Sequence, residues 1–181
     1  VLNFLYSSHC IAFKKKRFII IIQNTFKKAS QSLETIKKEF KENKRLKGDF
    51  KVTITKDAEG DSVFRHPDGF ETRVLCKGAE QIGSVRGEKF GAWRPDLILG
   101  DDMEDDEMVR SADRRRQFQE EFDEALLPAG DRELCQFIFI GTILHDDCTM
   151  NKLVSTDHYT KYRKLFYKAR YEGPVLSLIH I

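Results

Sequence analysis

One short run decides the fold of this chain: Asp96-Leu97-Ile98-Leu99-Gly100-Asp101-Asp102. Consecutive apolar residues between charged ends are typical of a short strand that is buried in a sheet. In open α/β sheets, ligands bind beyond the carboxyl ends of the strands. The run therefore predicts a buried strand from Leu97 to Gly100 that delivers two adjacent carboxylates to a ligand-binding edge.

The residues that precede this run predict a helix, a buried strand and a second helix. Leu2 to Phe13 is mostly apolar and lacks helix breakers, and Arg17 to Gln23 contains four consecutive isoleucines. Such β-branched runs are typical of strands covered on both faces. Phe26 to Asn43 carries apolar residues at helical spacing, and Thr25 is a candidate N-cap. This succession predicts an α/β fold with a parallel sheet and flanking helices.

Further elements are predicted on both sides of the Asp96–Asp102 segment, called the opening run from here on. Residues 50–86 predict a β-rich insertion, with strands at Phe50–Thr55, Val63–Arg65, Glu71–Cys76 and Gln81–Val85. After the run, we predict a long helix at Val109–Leu127, a strand at Leu134–Ile140, a helix around Met150–Asp157 and a strand around Leu165–Arg170.

Composition excludes several classes of protein. The 181 residues are 40% hydrophobic and 33% charged, which is typical of one globular domain. Four widely spaced cysteines without a Cys-x-x-Cys pair argue against a zinc site or a disulfide framework, and they indicate buried, reduced thiols in a cytosolic compartment. The strongest apolar run, Phe18 to Ile22, is too short to cross a bilayer, so no membrane partner is expected.

The charges are unevenly distributed although the net charge is only +2. Residues 1–50 contain twelve Lys and Arg against four Asp and Glu, whereas residues 101–107 contain six acids and no base. Two interpretations remain open. The asymmetry fits a phosphate-facing surface beside a metal site, and it equally fits a solvated helix face and an acidic loop.

The acids that follow the predicted strand have the chemistry of a nucleotide-hydrolysing site. One carboxylate can hold Mg²⁺, and a second can orient and deprotonate the water that attacks a γ-phosphate. The next strand ends in Gly141-Thr142, whose hydroxyl suits contact with that phosphate. A solvated acidic loop and a simple Gly-Thr turn are the alternatives. A calcium loop starting at Asp101 is excluded, because Asp106 and Ala112 stand where Gly and Glu are required.

Taken together, several segments resemble the large terminase subunit of tailed bacteriophages, an ATPase that packages viral DNA. The resemblance covers roughly residues 1–174. It is carried by Arg17-Phe18-Ile19-Ile20-Ile21-Ile22, the Ile-Lys-Lys-Glu-Phe pattern within 29–50, Gly83-Ser84-Val85-Arg86-Gly87, Arg94-Pro95 with the opening run and Met103-Glu104-Asp105, and Ile140-Gly141-Thr142-Ile143-Leu144-His145.

This resemblance implies a fold and a role for each candidate residue. The fold would be a P-loop NTPase (RecA/ASCE-like) parallel sheet with flanking helices and a β-rich insertion. Asp101 would be the Walker B aspartate that holds Mg²⁺, and Asp102 or Glu104 would activate water. Gly141 and Thr142 would contact the nucleotide and couple hydrolysis to DNA movement. Arg86 would be an arginine finger in a neighbour's site, or else a surface ion-pair partner.

The resemblance also implies cofactors, partners and boundaries. ATP and Mg²⁺ would be the cofactors; double-stranded DNA, the portal protein and the small terminase subunit would be partners of a homo-oligomeric ring in the host cytoplasm. Residues 1–174 would be a partial ATPase domain, because the sequence contains no G-x-x-x-x-G-K-[ST] and no nuclease acid triad. Residues 175–181 would be a non-native tail. We therefore expect weak ATP binding and no hydrolysis by this chain alone.

Three alternatives remain at this stage. The first is another ASCE-type ATPase such as a helicase, which would share the sheet and the acids. The second is a metal-dependent nuclease built on the acidic cluster, although no Glu-x-Lys accompanies Pro95-Asp96. The third is a non-catalytic module whose acidic loop binds a basic partner.

Overall fold

The computed structural model of the protein describes residues 2–165. The helices are α1 (Leu2–Ala12), α2 (Phe26–Glu42), α3 (Lys44–Phe50), α4 (Asp106–Arg110), α5 (Ala112–Glu121), α6 (Leu127–Ala129) and α7 (Thr149–Ser155). The strands are β1 (Phe18–Gln23), β2 (Thr53–Ala58), β3 (Asp61–Arg65), β4 (Glu71–Gly78), β5 (Leu97–Asp101) and β6 (Gln136–Ile140). Short 3₁₀ helices at Ala79–Val85 and Asp157–Tyr159 and a π-helical turn at Phe122–Leu126 complete the described part.

The strands form one six-stranded sheet in the order β2-β3-β4-β1-β5-β6. Strands β4, β1, β5 and β6 run parallel, whereas β2 and β3 are antiparallel additions beyond β4. β1 lies in the middle, hydrogen-bonded to β4 on one side and to β5 on the other. Its residues Phe18 to Ile22 are 0% exposed, which explains the isoleucine run, because a strand covered on both faces needs apolar side chains at every position.

Helices cover both faces of the sheet and bury two apolar clusters. Ile19 and Ile21 of β1 pack with α1 and α2, whereas Ile20 and Ile22 pack with the first 3₁₀ helix, α5 and α7. Successive side chains of a strand point to opposite faces, so β1 contributes to both clusters. The predicted α/β architecture, with a parallel sheet and flanking helices, is confirmed.

Several local predictions are also confirmed. The isoleucine run, the opening run and the run ending at Ile140 are strands, with ends that differ from prediction by one or two residues. Thr25 caps α2, since its Oγ1 accepts a hydrogen bond from the Lys28 backbone N at 3.4 Å. All four cysteines are free thiols, and three of them are buried.

In the part of the chain that the structure describes, no helix has both the length and the hydropathy that crossing a membrane requires.

Four local predictions are wrong. Gln81–Val85 belongs to a 3₁₀ helix, because Ala79, Ile82 and Val85 are buried at three-residue spacing, which matches the 3₁₀ period. Phe50 ends α3, and Lys51 follows in a left-handed conformation, so β2 starts only at Thr53.

The helix predicted at Val109–Leu127 is wrong in its start, because Ser111 ends α4 and caps α5. From Ala112, α5, the π-helical turn and α6 continue without a break to Ala129. The β-rich insertion is also smaller than predicted, since β4 belongs to the parallel part of the sheet. Residues 166–170 of the predicted Leu165–Arg170 strand lie outside the described residues.

Candidate functional site

The carboxyl ends of the central strands meet at one edge of the sheet. Gln23 ends β1 and is in register with Asp101, which ends β5. Asp101 is in turn in register with Ile140, the last residue of β6, and Gly141-Thr142 follows directly. Parallel pairing therefore brings the predicted acids and the predicted Gly-Thr segment to neighbouring positions of the edge where α/β sheets bind ligands.

Asp101 is half-buried and held by two carboxamides. Asn3 Nδ2 donates to Asp101 Oδ2 at 2.9 Å, and Gln23 Nε2 donates to the same oxygen at 3.4 Å. Burial and, to a smaller extent, the neighbouring charge of Asp102 raise the pKa of Asp101, while the Gln23 hydrogen bond acts in the opposite direction. A bound cation would stabilise the ionised form of such a half-buried carboxylate, because the charge of the cation offsets the loss of hydration.

Asp102 differs from Asp101 in exposure and in backbone conformation. Its side chain is exposed, its φ is +46°, and its backbone N donates to the Ile140 carbonyl at 2.9 Å. Asp is among the residues that tolerate the left-handed region best. The chain therefore turns sharply at Asp102, and the two adjacent carboxylates leave the strand in different environments.

The loop after Asp102 folds back over the end of β5. A Cβ on Gly100 would lie 2.5 Å from Met103 Sδ and 2.7 Å from Phe139 Cδ1, so a larger residue there would require these side chains to move. Met103 is buried, which anchors the loop. The glycine before the acids is thus explained by the close approach of a side chain.

Glu104 is tied to another element. It is only 6% exposed, and its Oε1 and Oε2 accept hydrogen bonds from the backbone N–H groups of Thr149 at 2.9 Å and Met150 at 3.0 Å. These are the first two residues of α7, so Glu104 satisfies N–H groups that have no partner within the helix. With both oxygens engaged in this way, Glu104 acts as a helix cap.

The segment after β6 lies against the same helix. Gly141 is half-buried, and a Cβ there would come within 3.3 Å of Met150 Cγ, whereas Thr142 is exposed. His145 Nδ1 accepts a hydrogen bond from the Asp147 backbone N at 2.9 Å, which is a local loop contact. The acidic loop, the Gly-Thr segment and α7 therefore form one connected unit.

Arg86 is not brought together with the acids. It is exposed and follows the first 3₁₀ helix, and its side chain makes no hydrogen bond or ion pair within residues 2–165. Glu88, two residues later, pairs with Arg73 and Lys77 of β4. Among residues 2–165, the side-chain hydrogen bonds to Asp101 come from Asn3 and Gln23 and not from Arg86.

Two site residues were missed by the sequence reasoning. Gln23 could have been found from its position, since it is the polar residue that ends a buried parallel strand. Asn3 offered a weaker signal, a single carboxamide in an apolar helix.

Asp96, the first residue of the opening run, lies near the opposite end of β5, where it accepts hydrogen bonds from the backbone N of Arg17 and Phe18 at 2.8 and 2.9 Å.

The acids suit a magnesium ion that is shared with a phosphorylated ligand. In the described residues, no group of three or more His, Cys, Asp or Glu side chains could hold a metal ion by itself. Mg²⁺ is usually held by one or two carboxylates together with substrate phosphates and water, so it does not need such a group. Asp101, with Asp102 beside it, fits this pattern, whereas a structural zinc or calcium site does not.

Comparison with known proteins gives a likeness only at the level of structure. No protein-family model matches the chain, and no curated protein matches it. The chain is similar to the solved ATPase domain of the large terminase of Thermus phage P74-26, at 14% identity and a TM-score of 0.48, covering 78% of this chain and 54% of that one. An arginine-to-alanine mutant of the same domain gives 12% identity, a TM-score of 0.49 and the same coverage. The chain thus spans about half the length of these domains.

Proposed function

We propose that this chain is part of a DNA-packaging ATPase and contributes the metal-binding and water-activating half of its MgATP site. The observation that carries the proposal is the position of Asp101 at the carboxyl end of β5, between β1 and β6, with Asp102 turned away beside it. A metal ligand and a water-orienting group are needed at this edge in phosphoryl transfer to water.

Each residue has a role that follows from its contacts. Asp101 is half-buried and fixed, as a metal ligand should be, whereas the exposed carboxylate of Asp102 is free to accept a proton from water. Mg²⁺, when bound with ATP, would neutralise charge on the phosphate oxygens. Thr142 offers an exposed hydroxyl at the same edge for contact with the γ-phosphate, and Gly141 allows close packing on α7. We assign Glu104 to positioning rather than to water activation.

The wider activity is part of the same proposal. The resemblance in sequence supports a motor that moves double-stranded DNA with a portal protein and a small terminase subunit, as a ring in the host cytoplasm. In that ring, Arg86 would complete the site of a neighbouring subunit, and its exposed side chain, which makes no hydrogen bond or ion pair within residues 2–165, suits action in trans. Residues 1–174 would then be part of the ATPase domain.

Metal binding tests this proposal directly. We expect the chain to bind Mn²⁺, a spectroscopic substitute for Mg²⁺, and to bind it more tightly with ATP. Asp101→Asn should weaken Mn²⁺ binding by at least about tenfold, since it removes the charged ligand. Asp146→Asn is the matched control, because Asp146 is an exposed acid in the loop after β6. Electron paramagnetic resonance of free Mn²⁺ gives the affinities.

Two outcomes would contradict the proposal. Equal Mn²⁺ affinity in the parent and in Asp101→Asn would remove Asp101 from the metal site. Cleavage of plasmid DNA by the chain with Mn²⁺, lost in Asp101→Asn, would favour the metal-dependent nuclease instead.

A further inference from the structure

Two carboxamides from different elements converge on one oxygen of Asp101. Asn3 belongs to α1 and Gln23 to β1, and both donate to Oδ2. No hydrogen bond to Oδ1 is formed by any residue in the range 2–165. Within these residues the two oxygens of the carboxylate therefore differ, because Oδ2 accepts two hydrogen bonds and Oδ1 accepts none.

The orientation of each carboxamide is fixed by its surroundings. An ionised carboxylate only accepts hydrogen bonds, so the NH₂ group of Asn3 must face Asp101. Asn3 is 4% exposed, which leaves little room for another arrangement. The Gln23 amide is oriented from its other end, because its Oε1 accepts a hydrogen bond from Ser32 Oγ of α2 at 2.8 Å. Three elements, α1, β1 and α2, thus take part in holding one carboxylate.

We propose that Asn3 and Gln23 are positioning residues that engage Asp101 Oδ2 and thereby leave Oδ1 as the atom that ligates the metal ion. This inference rests on the proposed function, because it assumes that Asp101 binds a divalent cation. Outer-shell hydrogen bonds of this kind orient a ligand before the metal arrives. A carboxylate held through Oδ2 would offer Oδ1 to a metal ion such as Mg²⁺, which proteins usually hold by one or two carboxylates together with water and substrate phosphates.

A purely structural role for the two amides would predict a different result. In that case Asn3 and Gln23 would only satisfy a half-buried acid, and their removal would lower stability without affecting the metal. Variants of similar volume separate the two roles. Asn3→Leu and Gln23→Met keep the size of the side chains and remove the donors, and Gln117→Met is the matched control, because Gln117 Nε2 donates to Glu121 on the surface of α5.

The experiment measures Mn²⁺ affinity and metal-free stability for each variant of the full 181-residue chain. We expect Asn3→Leu and Gln23→Met each to raise the Kd for Mn²⁺ by about tenfold, in line with the usual effect of outer-shell mutations. Gln117→Met should leave it unchanged. In the absence of metal, the side-chain amide NMR signals of Asn3 and Gln23 should shift in Asp101→Asn, which reports the contact itself.

The outcomes distinguish this inference from the proposed function. If Mn²⁺ binding depends on Asp101 but is unchanged in Asn3→Leu and Gln23→Met, the positioning role is refuted and the metal site stands. Amide signals that do not respond to Asp101→Asn refute the contact. If Mn²⁺ binding is independent of Asp101, the proposed function fails and this inference fails with it.

Discussion

At the scale of single residues, the site depends on backbone conformation as well as on charge. Asp102 is one of three non-glycine residues with positive φ in the described chain, the others being Lys14 and Lys51. The left-handed turn places Asp102 outside β5 although it follows Asp101 directly. Neither composition nor periodicity predicts such a turn, because both describe the side chains and not the local path of the backbone.

Substitution of Asp102 should separate the backbone requirement from the charge. Asp102→Val should lower the free energy of unfolding by about 1–2 kcal/mol relative to Asp102→Asn, because β-branched residues resist positive φ whereas Asn tolerates it. Urea denaturation of the two variants measures this difference. Equal stability would show that the turn relaxes at no cost.

Asp101 should make folding dependent on pH in a direction that is unusual for an acid. Its pKa is raised in the folded state, so the folded chain binds the proton more tightly than the unfolded chain. Stability should therefore fall as the pH rises from the unfolded pKa, about 3.9, through the raised folded pKa. Asp101→Asn should be more stable than the parent at pH 7 in EDTA, with the gain disappearing below about pH 4.

Urea denaturation of both chains across this pH range, with EDTA and then with Mn²⁺, tests the Asp101 prediction. Mn²⁺ should reverse the order at pH 7, since only the parent gains from the ion. A parent chain that is more stable than Asp101→Asn at pH 7 in EDTA would argue against the raised pKa.

At the scale of secondary-structure elements, the loop after β5 and helix α7 are linked through one carboxylate. Sequence reasoning predicted α7 and the acids separately, and it treated Glu104 as a candidate for activating water. The link could not be predicted, because Glu104 and Thr149 are 45 positions apart and nothing in the local pattern joins them. Helix caps from distant residues depend on the tertiary fold, unlike the Thr25 cap, which lies next to its helix.

Removal of this distant cap should weaken the structure. Glu104→Ala should lower the free energy of unfolding by about 2–3 kcal/mol, because it leaves two N–H groups at the start of α7 without a charged acceptor. Glu104→Gln keeps one acceptor oxygen and should cost about half as much. Glu107→Ala is the control, since Glu107 is exposed at the start of α4. Denaturation in guanidinium chloride gives the comparison, and equal values for Glu104→Ala and Glu107→Ala would remove Glu104 from this role.

Helix α2 and strand β2 are linked by a second charged contact. Asp57 accepts hydrogen bonds from Lys37 Nζ and Lys41 Nζ, both at 2.6 Å, and these bonds lower the pKa of Asp57 to about 2. The lowered pKa contributes stability above the unfolded value of about 3.9, and the contribution is lost as the pH falls towards 2. Asp57 is partly exposed, so the effect is reduced by solvent screening.

Asp57→Asn should therefore be less stable than the parent at pH 7, and most of this difference should be lost by about pH 2, where the folded carboxyl is half protonated. Thermal unfolding at several pH values checks this. A difference that is as large at pH 2 as at pH 7 would mean that the contact does not act through the charge of Asp57.

At the scale of the whole molecule, the sequence predicts the layers better than the connections. The buried runs identified β1 and β5, because complete burial in a parallel sheet requires apolar residues at every position. The edge strand β6 is only partly buried, and its apolar run Phe137 to Ile140 identified it. The strand order could not be read in this way, since β4 pairs with β1 across more than fifty residues. The site shows the same limit. The sequence pattern predicts its acids, but it does not predict the contacts of Asn3 and Gln23 with Asp101, because these depend on the strand order and on helix packing.

The central position of β1 has a consequence for the slow motions of the molecule. Amides of a strand that is hydrogen-bonded on both sides and fully buried exchange with solvent only when the whole domain opens. In native-state hydrogen exchange, the backbone amide hydrogens of Ile19 to Ile22 should therefore be the last to be replaced by deuterium. Gln23 continues directly from this segment. The edge of the sheet that carries Asp101 is thus attached to β1, the strand that opens last. Local fluctuations of the outer loops should therefore leave the contact between Gln23 and Asp101 intact.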